Sequence, residues 1–436
     1  MTYQTGLSGG SWLLSSLAGN NYPTISSLRD SLWEQAFQDS LLLPDFLLAS
    51  LAYAEVTNDI VAKEDAGFPP TITDAWGRLL SYQLLKGLDG GVSDTLSGIT
   101  QLSSFTSYAV PYPIITALGV ETYQGECIPG PSATTYELTP FDFGSWDAGV
   151  SAFTQTKYIG TSLSNGVPTN RSCIKNYDNL GFVLGTSSNV FNEVCTAAPI
   201  ASNTTLVGQL ASIILKAHSL STRDEYAVYP NPFYKYSRSS LVQSQTELFL
   251  VDGGEAHQNN PIFPLLQPAR GIDAIIVNDN SADTADNFPD GSEIYTTYVQ
   301  SQSAGLTRMP YIPSSATFIS QGLNKRPTFF GCGDKSKITI VYVPNTNYTY
   351  PSNVPTSKLQ YSKAETDGTS LTMSTPPLAE SKLTSPSAII ANGLQIIDKG
   401  GDAAWPTCLG CALTMNSGDV RPAACEACFK EYCYYQ

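Results

Sequence analysis

The residues with the clearest chemical potential lie close to the N-terminus, in the segment Gly6-Leu-Ser-Gly-Gly10. A nucleophilic serine needs a sharp turn, because only there does its hydroxyl project clear of the backbone while neighbouring amides point at the same space. Gly6 and Gly9 are small enough to permit that turn, and the apolar run after it predicts a helix whose positive end would face an oxyanion. We therefore predict Ser8 as a nucleophile and the amides of Gly9 and Gly10 as oxyanion donors. The same residues are also typical of an ordinary glycine turn before a helix.

A second candidate lies at the end of an apolar run, in Val251-Asp-Gly-Gly-Glu255. Active sites of open α/β sheets lie at the carboxyl ends of strands, and two glycines allow the chain to turn sharply beside the carboxylate. We therefore predict that Asp252 meets Ser8. An Asp-Gly pair that ends a strand is also typical of an ordinary turn, so this segment by itself leaves both interpretations open.

A serine hydrolase also needs a base, and the chain holds two histidines, His218 and His257. A Ser-His-Asp triad would have to use one of them, and His257 is the better candidate because it follows Asp252 closely. A dyad in which the aspartate itself accepts the serine proton needs neither histidine. Two histidines far from a carboxylate cluster do not favour a catalytic zinc site, so we predict no metal site.

Composition argues against several classes of protein. The 436 residues, 42% of them hydrophobic, can fill a sizeable core, so global disorder is not expected. The net charge of −15, with 23 Lys and Arg residues spread along the chain, argues against a nucleic-acid partner, which needs clustered cations. No run approaches the roughly 18 apolar residues of a membrane-spanning helix, so we expect no transmembrane segment. The composition does not indicate an oligomeric state.

Cysteines and glycosylation signals indicate the secretory pathway. Three segments match the acceptor pattern Asn-x-Ser/Thr, at Asn170, Asn203 and Asn347. The glycosylation signals favour disulfides over zinc in the C-terminal tail, although the cysteine spacing there would suit either. The odd total of nine cysteines leaves at least one free or paired elsewhere. The tail cysteines are Cys408, Cys411, Cys425, Cys428 and Cys433.

Hydrophobic periodicity predicts the elements that position these residues. The region up to about residue 95 is predicted to be mostly helical, with an amphipathic helix over 25–38. Apolar, β-prone runs bounded by Asp, Gly or Asn predict buried strands at 247–251, 273–277 and 338–343. The pattern as a whole predicts an α/β fold, followed by a Cys-rich tail.

Several segments, in order along the chain, resemble one known family. Residues 6–12 are similar to the nucleophile motif of fungal lysophospholipases (phospholipase B enzymes), and residues 251–261 are similar to their catalytic-aspartate motif. The resemblance covers essentially the whole chain and implies a three-layer α/β fold of the cytosolic phospholipase A2 and patatin type, with a central sheet flanked by helices. It implies a catalytic domain over 1–400 and a Cys-rich tail over 401–436. Further similar blocks lie at 139–146, 157–166, 185–192 and 275–283.

The resemblance implies a Ser-Asp dyad, in which Ser8 is the nucleophile and Asp252 is the general base that also orients it. Ser8 would attack a fatty-acyl ester of a lysophospholipid or phospholipid at a lipid interface, and water would then hydrolyse the acyl-enzyme. No cofactor is implied. Two alternatives stay open: a Ser-His-Asp esterase that uses His257, and a non-catalytic, glycosylated cell-surface protein that retains the fold.

The chain departs from this family at its start. Family members carry, upstream of the nucleophile, a glycine-rich strand-turn and an arginine, which supply oxyanion amides and a cation for the substrate phosphate, whereas this chain begins seven residues before Ser8. Loss of an oxyanion donor typically costs roughly 2.7–4 kcal/mol of transition-state stabilisation. We therefore expect weak or no activity from this chain by itself. We also expect a secreted or cell-surface location, with the signal peptide lost upstream of Met1.

Overall fold

The computed structural model describes residues 1–38, 49–87, 89–170, 172–192, 225–346, 352–355, 358, 360–366, 404–416 and 422–435. The chain divides into two compact units. The first comprises Met1–Pro23, Asp30–Ala256 and Leu359–Lys363, and the second comprises Thr24–Arg29, His257–Lys358 and Ala364–Gln436. Ser8 and Asp252, the two predicted catalytic residues, both belong to the first unit.

Helices and strands are mixed along the chain. The strands are β1 (Tyr3–Gly6), β2 (Tyr112–Gly119), β3 (Thr135–Leu138), β4 (Asp142–Ser145), β5 (Ala152–Gln155), β6 (Leu163–Ser164), β7 (Val167–Pro168), β8 (Ala227–Pro230), β9 (Glu247–Asp252), β10 (Ala274–Asp279), β11 (Thr328–Phe330) and β12 (Thr339–Pro344). The α-helices are α1 (Ser8–Gly19), α2 (Ile25–Leu28), α3 (Glu34–Ala36), α4 (Ala49–Asp65), α5 (Ile72–Leu84), α6 (Ser103–Thr106), α7 (Leu180–Ser187), α8 (Ser292–Ser303), α9 (Ser315–Gln321), α10 (Trp405–Leu413) and α11 (Ala423–Tyr432). A π-helix spans Arg29–Trp33, and short 3₁₀ helices span Ser97–Gln101, Thr122–Gln124, Thr156–Tyr158, Phe263–Leu266, Pro268–Arg270 and Leu323–Lys325.

The first unit is built on a seven-stranded sheet in the order β5-β4-β3-β2-β9-β8, with β1 paired to β2 outside that path. β1 runs parallel to β2, whereas β3 and β9 run antiparallel to it. Stacked, buried aromatic rings from three strands pack on this sheet: the ring of Phe143 lies 5.5 Å from that of Tyr136 and 5.6 Å from that of Tyr229. Burial of such large rings contributes strongly to the stability of the sheet.

β1 and β9 share one edge of β2. Ile115 pairs with Gly6 on one side and with β3 on the other, and Ala117 pairs with Asp252 and with β3 in the same way. Because β3 occupies one edge of β2, both β1 and β9 must lie along the opposite edge. The two strands run toward each other there, and both end beside Thr116.

Helices α5 and α7 of the first unit pack unusually closely, because glycines face each other across the contact. A Cβ at Gly77 of α5 would lie 2.3 Å from the carbonyl oxygen of Gly181 in α7. Such an approach is possible only where neither residue has a side chain. Helix α7 also packs against α1, β2 and β9, so its C-terminal residue, Ser187, lies close to the ends of β1 and β9.

The second unit contains a three-stranded sheet in the order β10-β12-β11. β10 and β12 are parallel, and β11 is antiparallel to β12. Helices α10 and α11 pack on this sheet in a core that includes Phe329, Trp405, Phe429 and Tyr432. The C-terminal segment is therefore part of the folded second unit.

Disulfides hold this C-terminal segment. Two of them join α10 to α11, and a third links the end of the chain to the loop after β11, so the expectation of disulfides in the tail is confirmed. Cys127 also forms a disulfide, with a partner outside the described residues, and Cys173 is exposed and free. The three described pairs are Cys408–Cys428, Cys411–Cys425 and Cys332–Cys433.

The strands predicted at 247–251, 273–277 and 338–343 are confirmed as β9, β10 and β12. The helix predicted over 25–38 is confirmed from Ile25 to Ala36, with π-helical geometry from Arg29 to Trp33. Trp33, at the end of the π-helix, is buried, and its indole nitrogen donates to the hydroxyl of Ser16 (3.0 Å). The predicted boundary between residues 400 and 401 lies outside the described residues. In the described ranges, no helix is both long enough and apolar enough to cross a bilayer.

Candidate active site

Ser8 occupies a strained turn between β1 and α1. It is the first residue of α1, two positions after the last residue of β1, and its φ of +47° lies in the left-handed region that side chains other than glycine rarely adopt. A Cβ at Gly6 would lie 2.6 Å from the carbonyl oxygen of Gly10, so this turn requires glycine at position 6. Strain of this kind at one residue typically costs about 1–3 kcal/mol and persists where the surrounding structure fixes it.

Gly9 does not have the steric role that we predicted for it. A Cβ there would meet no atom within 4 Å among the described residues, and its φ lies outside the left-handed region. Only Gly6 is therefore needed for the turn itself. The open space at Gly9 and Gly10 is solvent-exposed and lies directly beside Ser8.

The first turn of α1 presents two open amides. The amide of Ser8 is engaged, because it donates to the hydroxyl oxygen of Ser187 at 3.2 Å. Within the part of the chain that the structure describes, the amides of Gly9 and Gly10 donate to no protein atom. No acidic side chain lies in this turn, so the partial positive charge of the helix end is not neutralised from within the helix. Two open amides at a helix N-terminus can bind an oxyanion.

Asp252 is the last residue of β9, and hydrogen bonds hold both its side chain and its backbone. The residue is 4% exposed, and its carboxylate accepts a hydrogen bond from the amide of Gly254 at 2.7 Å. Its own amide donates to the carbonyl oxygen of Asn189 at 2.9 Å, just after α7. The backbone and the carboxylate of Asp252 are thus both constrained.

The two predicted catalytic segments touch. A Cβ at Gly253 would lie 2.8 Å from the Cβ of Leu7 and 3.0 Å from the carbonyl oxygen of Thr116. Ser8 and Asp252 are each one residue away from this contact. The structure therefore brings the nucleophile turn and the aspartate strand together at the same place on β2.

The contacts described above do not include the other predicted site residues. His257 is exposed, has a φ of +52° and belongs to the second unit, and His218 lies outside the described residues. Asn170 is exposed shortly after β7, whereas Asn203 and Asn347 lie outside the described residues. Among the described residues, no cluster of His, Cys, Asp or Glu could hold a metal ion.

Three residues that contact the site carried no predicted role: Thr116, Ser187 and Asn189. Ser187 and Asn189 fall in the segment 185–192, which resembles a family block. Besides this resemblance, the density of hydroxyl and amide side chains at the end of an apolar helix was a signal that could have indicated the role of Ser187 and Asn189. Each lies more than 60 residues from its partner at the site, and sequence periodicity does not report such contacts.

Sequence comparisons with known proteins agree on one family. A family model described as the lysophospholipase catalytic domain matches residues 1–436. The chain is 38% identical to Lysophospholipase 2 of Aspergillus fumigatus, over 99% of this chain and 74% of that protein. It is 37% identical to Lysophospholipase 1 of Saccharomyces cerevisiae, over 99% of this chain and 66% of that protein.

Two solved structures share the fold. One is human GIVD cytosolic phospholipase A2, with a TM-score of 0.64, 18% identity and coverage of 95% of this chain and 58% of that chain. The other is the same human protein in complex with methyl gamma-linolenyl fluorophosphonate inhibitor and terbium chloride, with a TM-score of 0.59, 17% identity and coverage of 95% and 55%. The chain thus spans less than two thirds of either solved chain. The similarity confirms the α/β fold of the cytosolic phospholipase A2 type.

Proposed function

Because the chain belongs to the family of lysophospholipase catalytic domains, we propose that it hydrolyses fatty-acyl esters of lysophospholipids through Ser8 and Asp252. The observation that carries the proposal is the contact between the Cβ of Leu7 and Gly253, because it brings a strained serine and a buried carboxylate to one point of the sheet. The family supports the substrate class, and the geometry supports the two proposed roles. Diacyl phospholipids are the second substrate class that the family allows.

The reaction begins with proton transfer from the Ser8 hydroxyl to the Asp252 carboxylate. The serine oxygen attacks the acyl carbonyl carbon and forms a tetrahedral oxyanion, which the open amides of Gly9 and Gly10 stabilise. The ester C–O bond then breaks, and the protonated Asp252 returns its proton to the departing glycerophospho alcohol. Water, deprotonated by the same carboxylate, attacks the acyl-enzyme; when the bond to Ser8 breaks, Asp252 returns the proton to the serine oxygen, and the fatty acid and free Ser8 are released.

The fixed geometry of Asp252 supports its assignment as the base. The amide of Gly254 donates to one carboxylate oxygen, which sets the orientation of the group. The hydrogen bond from the Asp252 amide to Asn189 holds the strand end in place. A base that is already oriented in the free enzyme needs little rearrangement when substrate binds.

The decisive experiment is labelling of the purified chain with a fluorophosphonate probe, followed by peptide mass spectrometry and by assay of lysophosphatidylcholine hydrolysis. A fluorophosphonate is suitable because one structural neighbour is a complex with such an inhibitor. We expect an adduct on Ser8 together with weak hydrolysis in the unaltered chain, no adduct on Ser8→Ala, and labelling roughly 100- to 10,000-fold slower for Asp252→Asn, as removal of a general base predicts.

His257→Ala separates the dyad from the triad. The dyad predicts that this variant is labelled at the rate of the unaltered chain, since His257 takes no part. Loss of labelling in His257→Ala would instead favour a Ser-His-Asp esterase. Absence of any adduct on Ser8 in the unaltered chain would favour the non-catalytic cell-surface protein.

We also propose that the protein is secreted or displayed at the cell surface as a glycoprotein. The support is the set of disulfides, which form and persist in oxidising compartments, together with the exposure of Asn170. Protein expressed in a eukaryotic secretory host should lose mass on treatment with an N-glycosidase. In Asn170→Gln this loss of mass should be smaller by one glycan. A secreted product whose mass does not change on this treatment would contradict glycosylation.

A further inference from the structure

Ser187, at the C-terminal end of α7, is completely buried and connects the two catalytic segments. Its hydroxyl oxygen accepts a hydrogen bond from the amide of Ser8 at 3.2 Å, and the same hydroxyl donates to the carbonyl oxygen of Thr116 at 2.7 Å. Its carbonyl oxygen accepts a hydrogen bond from the amide of Gly253 at 3.3 Å. One residue therefore bonds to the nucleophile turn, to β2 and to the residue after Asp252.

The hydrogen bond to Ser8 helps to hold a conformation that is unfavourable by itself. A serine with a φ of +47° relaxes unless its neighbours fix it. The hydrogen bond that the Ser187 hydroxyl donates to the Thr116 carbonyl oxygen fixes the orientation of that hydroxyl. A lone pair of the hydroxyl oxygen therefore points at the Ser8 amide. Removal of the hydroxyl would leave the Ser8 amide and the Thr116 carbonyl without this partner in a buried setting, which favours a different turn.

The same bond determines which amides are left for an oxyanion. Because the Ser8 amide is directed at the buried Ser187, it is not open to an oxyanion, whereas the open amides of Gly9 and Gly10 belong to exposed residues. If Ser8 were released, its amide could rotate and alter the path of the next two peptide units. Small displacements at a reacting centre affect rates strongly, since a misplacement of about 1 Å can reduce a rate roughly 100-fold.

We propose that Ser187 is a positioning residue that sets the geometry of Ser8 relative to Asp252, a proposal that rests on the function proposed above. It acts through Ser8 and Gly253 and touches no reacting atom. Its loss therefore slows acylation of Ser8 and leaves the binding of the lipid chain unchanged.

The neighbouring residue provides a matched control. Ser188 is also a buried serine, and its hydroxyl likewise accepts one N–H, from the indole of Trp76 at 3.1 Å, and donates to one carbonyl, that of Leu184 at 2.8 Å. These partners lie on α5 and α7 and do not include Ser8 or Gly253. Ser188→Ala thus removes the same chemical group from the same turn, with an equivalent loss of hydrogen bonds.

The experiment compares Ser187→Ala with Ser188→Ala in the full chain. The readouts are the second-order rate constant for fluorophosphonate labelling of Ser8, KM and kcat for lysophosphatidylcholine, and the thermal midpoint. Both variants should lower the midpoint by a similar amount. Ser187→Ala should be labelled about 10- to 100-fold more slowly with KM unchanged, and Ser188→Ala should be labelled at the rate of the unaltered chain.

A second pair of variants, with cysteine at the same two positions, controls for misfolding. Ser187→Cys fills almost the same volume but is a weak hydrogen-bond acceptor, so it should fold and still lose labelling rate, and Ser188→Cys should not. Equal labelling rates in the Ser187 and Ser188 variants would overturn the positioning role of Ser187 and leave the proposed function standing. Absence of a Ser8 adduct in the unaltered chain overturns both the proposed function and the positioning role built on it.

Discussion

The Cβ of Leu7 lies 2.8 Å from the position that a Cβ would take at Gly253, so the residue before Ser8 and the residue after Asp252 are in direct contact. A side chain at position 253 would also approach the carbonyl oxygen of Thr116 to 3.0 Å, and that atom belongs to the backbone of β2. The contact between the two strand ends therefore depends on glycine at this position.

Gly253→Ala should destabilise the protein and slow the labelling of Ser8. The added methyl group cannot fit without moving either Leu7 or β2, and overpacking of this kind costs typically about 1–3 kcal/mol. Chemical denaturation measures the loss of stability, and fluorophosphonate labelling measures the loss of reactivity. Gly130→Ala is the control, since a methyl group there meets nothing within 4 Å among the described residues. Equal behaviour of the two variants would contradict the tight contact.

The two glycines on either side of Leu7-Ser8 should respond differently to alanine. Gly6→Ala would force the new methyl group against the carbonyl oxygen of Gly10, 2.6 Å away, and should disrupt the turn. Gly9→Ala meets open space and replaces a glycine inside a helix, so thermal stability should be unchanged or higher. Differential scanning calorimetry of both variants checks this. A lower midpoint for Gly9→Ala than for Gly6→Ala would contradict the account of the turn.

Glu293 should make the protein less stable as pH rises through neutrality. The pKa of this carboxyl is raised to about 8, mainly by burial; the hydrogen bond from the Asn259 amide opposes the rise, and the nearby carboxylates of Asp283, Asp279 and Asp290 add to it. Because the folded protein holds this proton more tightly than the unfolded chain, the stabilising contribution is complete below about pH 4.5 and is lost as pH approaches 8. The expected change is on the order of a few kcal/mol.

Glu293→Gln tests this pH dependence, because glutamine has no proton to lose. Denaturant unfolding from pH 5 to pH 9 should show a smaller decline in the free energy of unfolding for this variant than for the unaltered chain. Glu426→Gln is the control, since Glu426 is exposed. If the free energy of unfolding declined by the same amount in all three proteins, Glu293 would not be the cause of the decline.

Loss of the disulfide between α10 and α11 should destabilise the second unit. Cys408→Ser removes the pair with Cys428, and removal of a native disulfide costs typically about 2–5 kcal/mol. Cys173→Ser removes a free, exposed thiol and should leave the thermal midpoint unchanged. Thermal melts of both variants under non-reducing conditions make the comparison. Equal midpoints would mean that this disulfide does not contribute to stability.

The sequence predicted the parts of the site that are local. The apolar run of β9 and the Asp-Gly-Gly after it indicated a strand with a carboxylate at its end, because burial and turn chemistry act over a few residues. The glycine pattern around Ser8 indicated a sharp turn for the same reason. The predicted steric need for Gly9 was wrong, because a glycine-rich string does not reveal which of its members meets another atom.

The parts of the site that depend on distant contacts could not be predicted. The hydrogen bond between Ser187 and Ser8 spans 179 positions, and it exists only because α7 packs on β2 and β9. The π-helical geometry within the helix predicted over 25–38 was likewise not predicted, nor was the hydrogen bond from Trp33 to Ser16. Periodicity reports which face of an element is buried, and it does not report what that face meets.

The shared edge of β2 has almost no unpaired length between the two strands that end on it. β1 takes Tyr112–Ile115 and β9 takes Ala117–Gly119, so Thr116 is the single position between them. Neither strand could gain a residue at its carboxyl end without running into the other. Insertions should therefore be tolerated in exposed loops between Ser8 and Asp252 far better than one extra residue at the end of either strand.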